Sequence, residues 1–359
     1  MATTFDFVVS CPEERLVAAR QTLEEAHRLV HRLELELTEF IASSPIAQIN
    51  ASLPGTPIAV AQSAIDLLVM SEDIRESTDG AFSCLAKSAL PEEAKIQWDL
   101  SRKVAWRASL GTHLGFGAIG KGYALDQVRA LVERSGFQDY FLSGGGSSLI
   151  LSGFSSPEIP WKWGWSWQKD SDGETLGVSF VHESGLSVAI GVSGLHEKGL
   201  HIIDPRKGDP AQSVKSALVA HPSATQADAL STALFVGGWE EEYEHFSKLT
   251  TPPAMAIIDH ESTPRWNGTF QHLWGKVSTI GGHTVMLLVA IASFFPYLAR
   301  ADDAVDLGGA DDFTPYIFER NYWFTLLPLA ALGIVLLHLK KLNSRPQTQP
   351  NPLEENHET

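Results

Sequence analysis

Apolar residues near the N-terminus recur every three to four positions: Leu16, Ala19, Leu23, Ala26, Leu29, Val30, Leu33 and Leu37. That spacing predicts an amphipathic helix within 12–40. Pro12, Glu13 and Glu14 suit its start, because proline fits a first turn and carboxylates favour the positive end of the helix dipole. The pattern predicts a second helix over 59–76, a third from just after Gly117 to about Ser135, and a small-residue helix over 227–236. Short β-like runs at 5–10, 140–142, 148–151, 177–182, 187–191 and 215–220 read as strands. In WKWGWSWQ, Trp161 to Gln168, aromatic residues alternate with others, so one face of a strand carries an aromatic stripe. Packing in a core is the first reading of such a stripe. The mixture predicts an α+β domain over 1–260 followed by a linker, 261–276, with no internal repeat.

Farther on, the charged positions drop out. Val277–Ala299 and Trp323–Leu339 contain no Asp, Glu, Lys or Arg. A spanning helix needs roughly 17–25 mostly apolar residues, so the two stretches predict a two-helix transmembrane hairpin, the second helix at the short limit. Trp274 and Tyr297 flank the first stretch, and Tyr322 and Trp323 open the second, as interfacial aromatic belts do. Lys276 precedes the hairpin, and Lys340, Lys341 and Arg345 follow it, whereas the loop 300–322 is mainly acidic. The positive-inside rule then anchors the chain in the inner (cytoplasmic) membrane with the large domain facing the cytoplasm. A buried helical hairpin in a soluble protein is the competing reading. His283 and His338 fall one in each stretch; facing histidines can ligate haem, but polar packing of one and snorkelling of the other is the first reading. The tail, 340–359, is polar and contains proline, a composition typical of disorder. The N-terminus lacks the basic-then-apolar pattern of a cleaved signal.

Composition narrows the function. The chain has 359 residues, 44% of them hydrophobic and 19% charged, enough for a large core and an appendage. A net charge of −16 argues against sequence-independent nucleic-acid binding, which depends on a basic surface. Cys11 and Cys84 are far apart and offer neither a zinc pattern nor a disulfide framework.

Four segments and one further glycine-rich turn carry candidate chemistry. Gly115, Gly117, Gly120 and Gly122 lead into a helix with Lys121 at its beginning. Glycines allow close backbone approach and a helix N-terminus attracts phosphate, although the spacing is neither a Walker A nor a GxGxxG pattern. SGGGSS, Ser143 to Ser148, is another glycine-rich turn after a strand. Asp228 and Thr232, at i and i+4, share one helix face and offer the hard oxygens that Mg²⁺ accepts; a surface Asp beside an unrelated Thr explains the pair as well. The remaining segments are SSPIAQIN (Ser43 to Asn50) with STDGAF (Ser77 to Phe82), and SGLHEKGLHIIDPRKGDP (Ser193 to Pro210).

Taken in order, these segments resemble the ApbE family, the FAD:protein FMN transferases, over most of residues 1–240. GFGAIGKGYALD resembles the family's DxGxIxKGYAxD, HIIDPRKG its HIIDPRTG, and ADALSTALFVGG its ADALATALFVLG. Ser44, Ile46, Ile49 and Asn50 match an early S-x-I-x-x-I-N. The resemblance implies an ApbE-like flavin transferase domain using Mg²⁺ and FAD. Asp228 and Thr232 would be side-chain magnesium ligands and the Gly120 carbonyl a third. Gly80, Ala81, Phe82, Gly117, Lys121, Asp126, Gly144, Gly145, Ser193 and His201 would build the FAD pocket. His201, Asp228 and Lys121 would carry catalysis, with His201 beside the reacting phosphate as base or electrostatic stabiliser. The acceptor would be a Ser or Thr of a membrane-associated redox protein. No S/T-G-A-S/T acceptor segment occurs in this chain.

Some positions depart from the family. Gly115 replaces an aspartate, with no carboxylate nearby in the sequence to substitute for it. Ser83-Cys84-Leu85 replaces D-P-T, Val192 the Thr of T-S-G, and Lys207 the Thr of PRTG. LSGGGS, Leu142 to Ser147, matches N-L-G-G-N only loosely. Two other functions therefore remain open at this point: an FAD pyrophosphatase with water as acceptor, and a flavin-binding membrane subunit with little catalysis.

Overall fold

The computed structural model describes residues 3–169, 175–182, 185–194, 201–273 and 277–280. Strand β1 (Phe5–Val9) is followed by the long helix α1 (Leu16–Leu37) and the short α2 (Pro45–Ala51). Next come β2 (Ile58–Ala59), α3 (Gln62–Ser77), β3 (Ile96–Asp99), β4 (Val104–Arg107) and α4 (Gly120–Arg134). A run of strands follows: β5 (Tyr140–Gly144), β6 (Ser148–Ser152), β7 (Phe154–Ser156), β8 (Ile159–Lys169), β9 (Thr175–His182), β10 (Val188–Gly194) and β11 (Ser216–His221). The described chain closes with α5 (Ala224–Gly237), α6 (Trp239–Ser247), β12 (Ala254–Ile258), β13 (Pro264–Trp266), α7 (Gly268–Leu273) and β14 (Val277–Ile280).

Seven strands make one antiparallel sheet in the order β1-β5-β6-β10-β11-β12-β13. Successive side chains of a strand point to opposite faces, and here both faces are covered. Ala189, Ala217 and Val219 belong to the core shared with α1, α3, α4 and α5. The residues that alternate with them, Val188, Ile190, Leu218 and Ala220, pack with Trp161, Trp163, Trp165 and Phe180 of a second, four-stranded sheet, β14-β9-β8-β7. The tryptophan stripe is therefore core: Trp163 stacks on Phe180 with ring centroids 5.0 Å apart. The architecture is three layers: helices, the long sheet, and the aromatic sheet. Helix α5 is buried on nearly every side, as a helix without a polar face must be.

The structure moves the expected domain boundary. The expected linker, 261–276, contains β13 and α7. The reason is local: Asn267 Oδ1 accepts from the Phe270 N–H at 2.9 Å, and the Phe270 ring meets Phe180 edge-on at 5.6 Å, so this polar stretch is anchored by one cap and one aromatic plug. The transmembrane helix expected from Val277 does not begin there either, because Val277–Ile280 pairs with β9 as a strand. Among the described residues no helix is long and apolar enough to cross a membrane. The remainder of the first stretch, 281–299, the acidic loop, the second stretch 323–339, the tail, and both His283 and His338 lie outside the described residues.

Candidate active site

Helix α5 brings its single carboxylate to the end of the long sheet. Asp228 is 2% exposed. Its Oδ1 accepts from Lys121 Nζ at 3.0 Å and from Ser148 Oγ at 2.9 Å, and its Oδ2 accepts from the Gly122 N–H at 3.1 Å. Lys121 also reaches the Gly117 carbonyl at 3.4 Å. One turn on, Thr232 Oγ1 lies 3.1 Å from Ser193 Oγ and donates to the Asp228 carbonyl at 3.3 Å, while Ser231 Oγ lies 3.0 Å from the same Ser193 hydroxyl. Four elements thus converge: the start of α4, the start of β6, the end of β10, and α5. Of the residues expected from the motifs, Asp228, Thr232, Lys121, Gly120, Gly117 and Ser193 belong to this cluster or adjoin it in α4. Ser148 and Ser231 join them unannounced; the only sequence signal for Ser148 is its place at the end of SGGGSS. Gly117 is exposed with open space where a side chain would be, so a ligand can approach its backbone closely.

Asp126, expected in the FAD pocket, does something else. Its carboxylate accepts from the Ala224 and Thr225 N–H groups at 3.0 and 2.9 Å, from the Ser223 and Thr225 hydroxyls at 2.8 and 2.7 Å, and from Arg129 at 2.7 Å. That exhausts its acceptor capacity. Asp126 caps α5 from α4 and so positions Asp228, with no lone pair left for a cofactor. Asp126→Ala is expected to cost at least the 0.5–2 kcal/mol of a lost cap, roughly, and to lower the urea midpoint accordingly. An unchanged midpoint would contradict the assignment.

Ala81 and Phe82 are also reassigned: at 0% and 1% exposed they are core residues with no free surface for a flavin. Gly80 lies against the Arg206 side chain. It has φ +78°, and a side chain there would meet Arg206 Cγ at 3.4 Å. Arg206 in turn bonds Asp204 Oδ1 through Nε at 3.0 Å and pairs with Glu241. Burial alone would raise the Asp204 pKa, but hydrogen bonds and charge from Arg206 outweigh it and hold the carboxyl below the usual range. Asp204 also closes the loop, its carbonyl accepting from Gly208 N–H at 2.8 Å. His201 stands exposed at the start of this loop. Gly144 and Gly145 serve their turn: side chains there would press on Phe5 and Thr3, and Gly145 has φ +63°. What that turn delivers to the site is the Ser148 hydroxyl.

Comparison with known proteins covers the same segments. The model of the ApbE family matches residues 1–256. The chain belongs to the ApbE family. Among its relatives, the FAD:protein FMN transferase of Escherichia coli K12 is 24% identical over 288 residues, covering 70% of this chain and 81% of that protein. The FAD:protein FMN transferase of Treponema pallidum is 26% identical over 273 residues, covering 61% and 72%. In fold, the chain is similar to the flavin transferase ApbE from Vibrio cholerae, with TM-score 0.63 at 19% identity over 76% of this chain and 96% of that one. The ApbE protein of Thermotoga maritima gives TM-score 0.63 at 20% identity over 76% and 99%.

Within the ApbE family Gly115 is the conspicuous departure, and its surroundings compensate for it. A Cβ at this glycine would lie 3.0 Å from Glu39 Oε1 and 3.3 Å from Oε2. Glu39, its side chain 8% exposed, is held there by Lys87 at 2.6 Å and by His113 Nε2. Burial pushes its pKa up, but the hydrogen bonds from His113 and Lys87 push it down further, so the carboxylate is ionised. A carboxylate is therefore present in space where the family's aspartate is absent from the sequence. The early motif also finds a role. Ile46 and Ile49 are fully buried, and Asn50 exchanges two hydrogen bonds of 2.8 Å with the Leu114 backbone, bracing the glycine segment.

Proposed function

We propose that this chain transfers FMN from FAD to a serine or threonine hydroxyl of a partner redox protein, with release of AMP. The observation that carries this reading is the Asp228 cluster: a buried carboxylate holding an ammonium at the N-terminus of α4, ringed by hydroxyls. The start of α4 and Lys121 together suit a pyrophosphate, since N-terminal N–H groups and a cation both favour negative charge. The residues also fit Mg²⁺. Asp228 already accommodates one cationic group, and the donors around it are hard oxygens. Asp228, Thr232 and the Gly120 carbonyl would hold the ion, which when bound offsets charge on the phosphates.

The remaining work falls to the chain itself. Lys121 swings from Asp228 to pair with the departing AMP phosphate. His201, exposed at the start of the Asp204 loop, accepts the proton of the attacking hydroxyl. The acceptor oxygen bonds to the FMN phosphorus as the bond from that phosphorus to the AMP phosphate oxygen breaks. Chromatography of a reaction with FAD, Mg²⁺ and an acceptor domain tests this. AMP should appear in step with loss of free FAD, no free FMN should accumulate, and EDTA should stop both. Stoichiometric free FMN would replace the transferase by a pyrophosphatase.

The apolar stretches beyond Ile280 favour a tether on the inner membrane with the domain in the cytoplasm, which raises the effective concentration near a membrane acceptor. Truncation after Ile280 should reduce acceptor modification in cells far more than activity on a soluble acceptor; equal losses would contradict the tether.

A further inference from the structure

Helix α6 carries a second cluster that the Asp228 site does not use. Glu241, Glu242 and His245 are spaced i, i+1 and i+4, so the histidine lies one turn from both carboxylates. The ligand atoms of all three lie within 4.8 Å of one another. Glu242 is 0% exposed, yet neither of its oxygens has a hydrogen-bond partner, and His245 Nδ1 is likewise buried without one. The Glu242 Oε1 to His245 Nδ1 distance is 3.6 Å. That is too long for a hydrogen bond.

Three buried polar atoms gathered in one place are costly to leave unpaired. A proton on Glu242 does not resolve this, because its O–H would still need an acceptor within about 3 Å. A cation bound by one Glu242 oxygen and His245 Nδ1 satisfies two of them at once, and a water on the ion reaches the other Glu242 oxygen. Two ligands each about 2.1 Å from a tetrahedral ion stand roughly 3.4 Å apart, close to the separation Glu242 and His245 already have.

We propose that Glu241, Glu242 and His245 bind a divalent transition ion of the Zn²⁺ class, at a site separate from Asp228. Two carboxylates and an imidazole suit Zn²⁺ better than Mg²⁺, which prefers oxygen ligands throughout. Three protein ligands leave one position for water. Arg206 pairs with Glu241 and Asp204, and burial raises the Glu242 pKa to about 8, so an entering ion displaces the Glu242 proton. The consequence reaches the active site. The ion fixes Glu241, Glu241 fixes Arg206, and Arg206 holds the Asp204 loop and abuts Gly80. The ion is thus a clasp between α6 and the loop that carries His201.

The test uses the full chain, stripped with chelator and dialysed against Zn²⁺ in excess Mg²⁺, followed by metal analysis. Wild type and Asp228→Ala should each retain about one Zn²⁺ that Glu242→Gln and His245→Gln lose. Zn²⁺ should also raise the melting temperature of wild type and leave that of Glu242→Gln unmoved, a readout that covers a poorly folding histidine variant. Equal Zn²⁺ retention by wild type and Glu242→Gln, or no retention by wild type, overturns the proposal.

Discussion

Asp228→Ala is expected to lower FMN transfer by about 10²–10³-fold, the range found when one preorganised electrostatic group is removed from a reacting centre. The side chain is the only carboxylate, among the described residues, in the cluster of α4, β6, β10 and α5. Without it the Lys121 ammonium, the Gly122 N–H and the Ser148 hydroxyl each lose an acceptor. Cation affinity at the site falls with the anion. Asp228→Asn separates charge from shape, since it keeps the volume and one acceptor oxygen. It should lose transfer nearly as severely while retaining the wild-type circular dichroism spectrum. Transfer at the wild-type rate in either variant, measured with FAD saturating, would remove Asp228 from the mechanism.

The second large effect is expected from Gly191→Ala. A Cβ at Gly191 would lie 2.1 Å from the Ala227 carbonyl oxygen and 2.7 Å from the Asp228 nitrogen. A Cβ at Gly122, likewise, would lie 2.1 Å from the Ala224 oxygen. Both obstacles are backbone, which cannot rotate aside. Helix α5 therefore seats its first turns against two glycines, one on β10 and one on α4. It has little freedom to shift, because Asp126 pins its end at Ala224 and Thr225. The methyl group must push α5 away, at a cost of about 1–3 kcal/mol for overpacking. Because Asp228 rides on the displaced turn, activity should fall together with the urea midpoint. Wild-type stability in Gly191→Ala would mean that α5 is not seated as described.

Much of the fold is legible where periodicity and burial agree. Helix α1 follows its apolar spacing closely, and β8 follows its alternating tryptophans. Elements beyond residue 237 are harder to read. AMAII of β12 is a short apolar run without a helical or alternating period, and α6 is rich in glutamate with few apolar markers. In β13 and α7 the fold depends on Asn267 and Phe270, single residues that no pattern announces.

At the site, the motifs draw Lys121, Ser193, Asp228 and Thr232 together, because each lies within a segment whose order the family shares. Contacts between distant segments are not visible in a sequence. Ser148 meets Asp228 across 80 positions, Glu39 meets His113 across 74, and Asp126 caps Ala224 across 98. A carboxylate on a glycine-led helix reads as a ligand contact until its actual donors are seen. The missing aspartate at Gly115 reads as a loss for the same reason, since Glu39 approaches it from just past the end of α1.

The transferase reading turns on whether a protein hydroxyl, and not water, receives the FMN. Intact mass spectrometry tests this most directly: the full chain is incubated with FAD, Mg²⁺ and an acceptor domain containing an S/T-G-A-S/T segment, and the acceptor is weighed. A mass gain of one FMN per acceptor is expected, absent with EDTA and absent when the acceptor hydroxyl is replaced by alanine. An unmodified acceptor in a reaction that nevertheless consumes FAD would contradict the transferase reading.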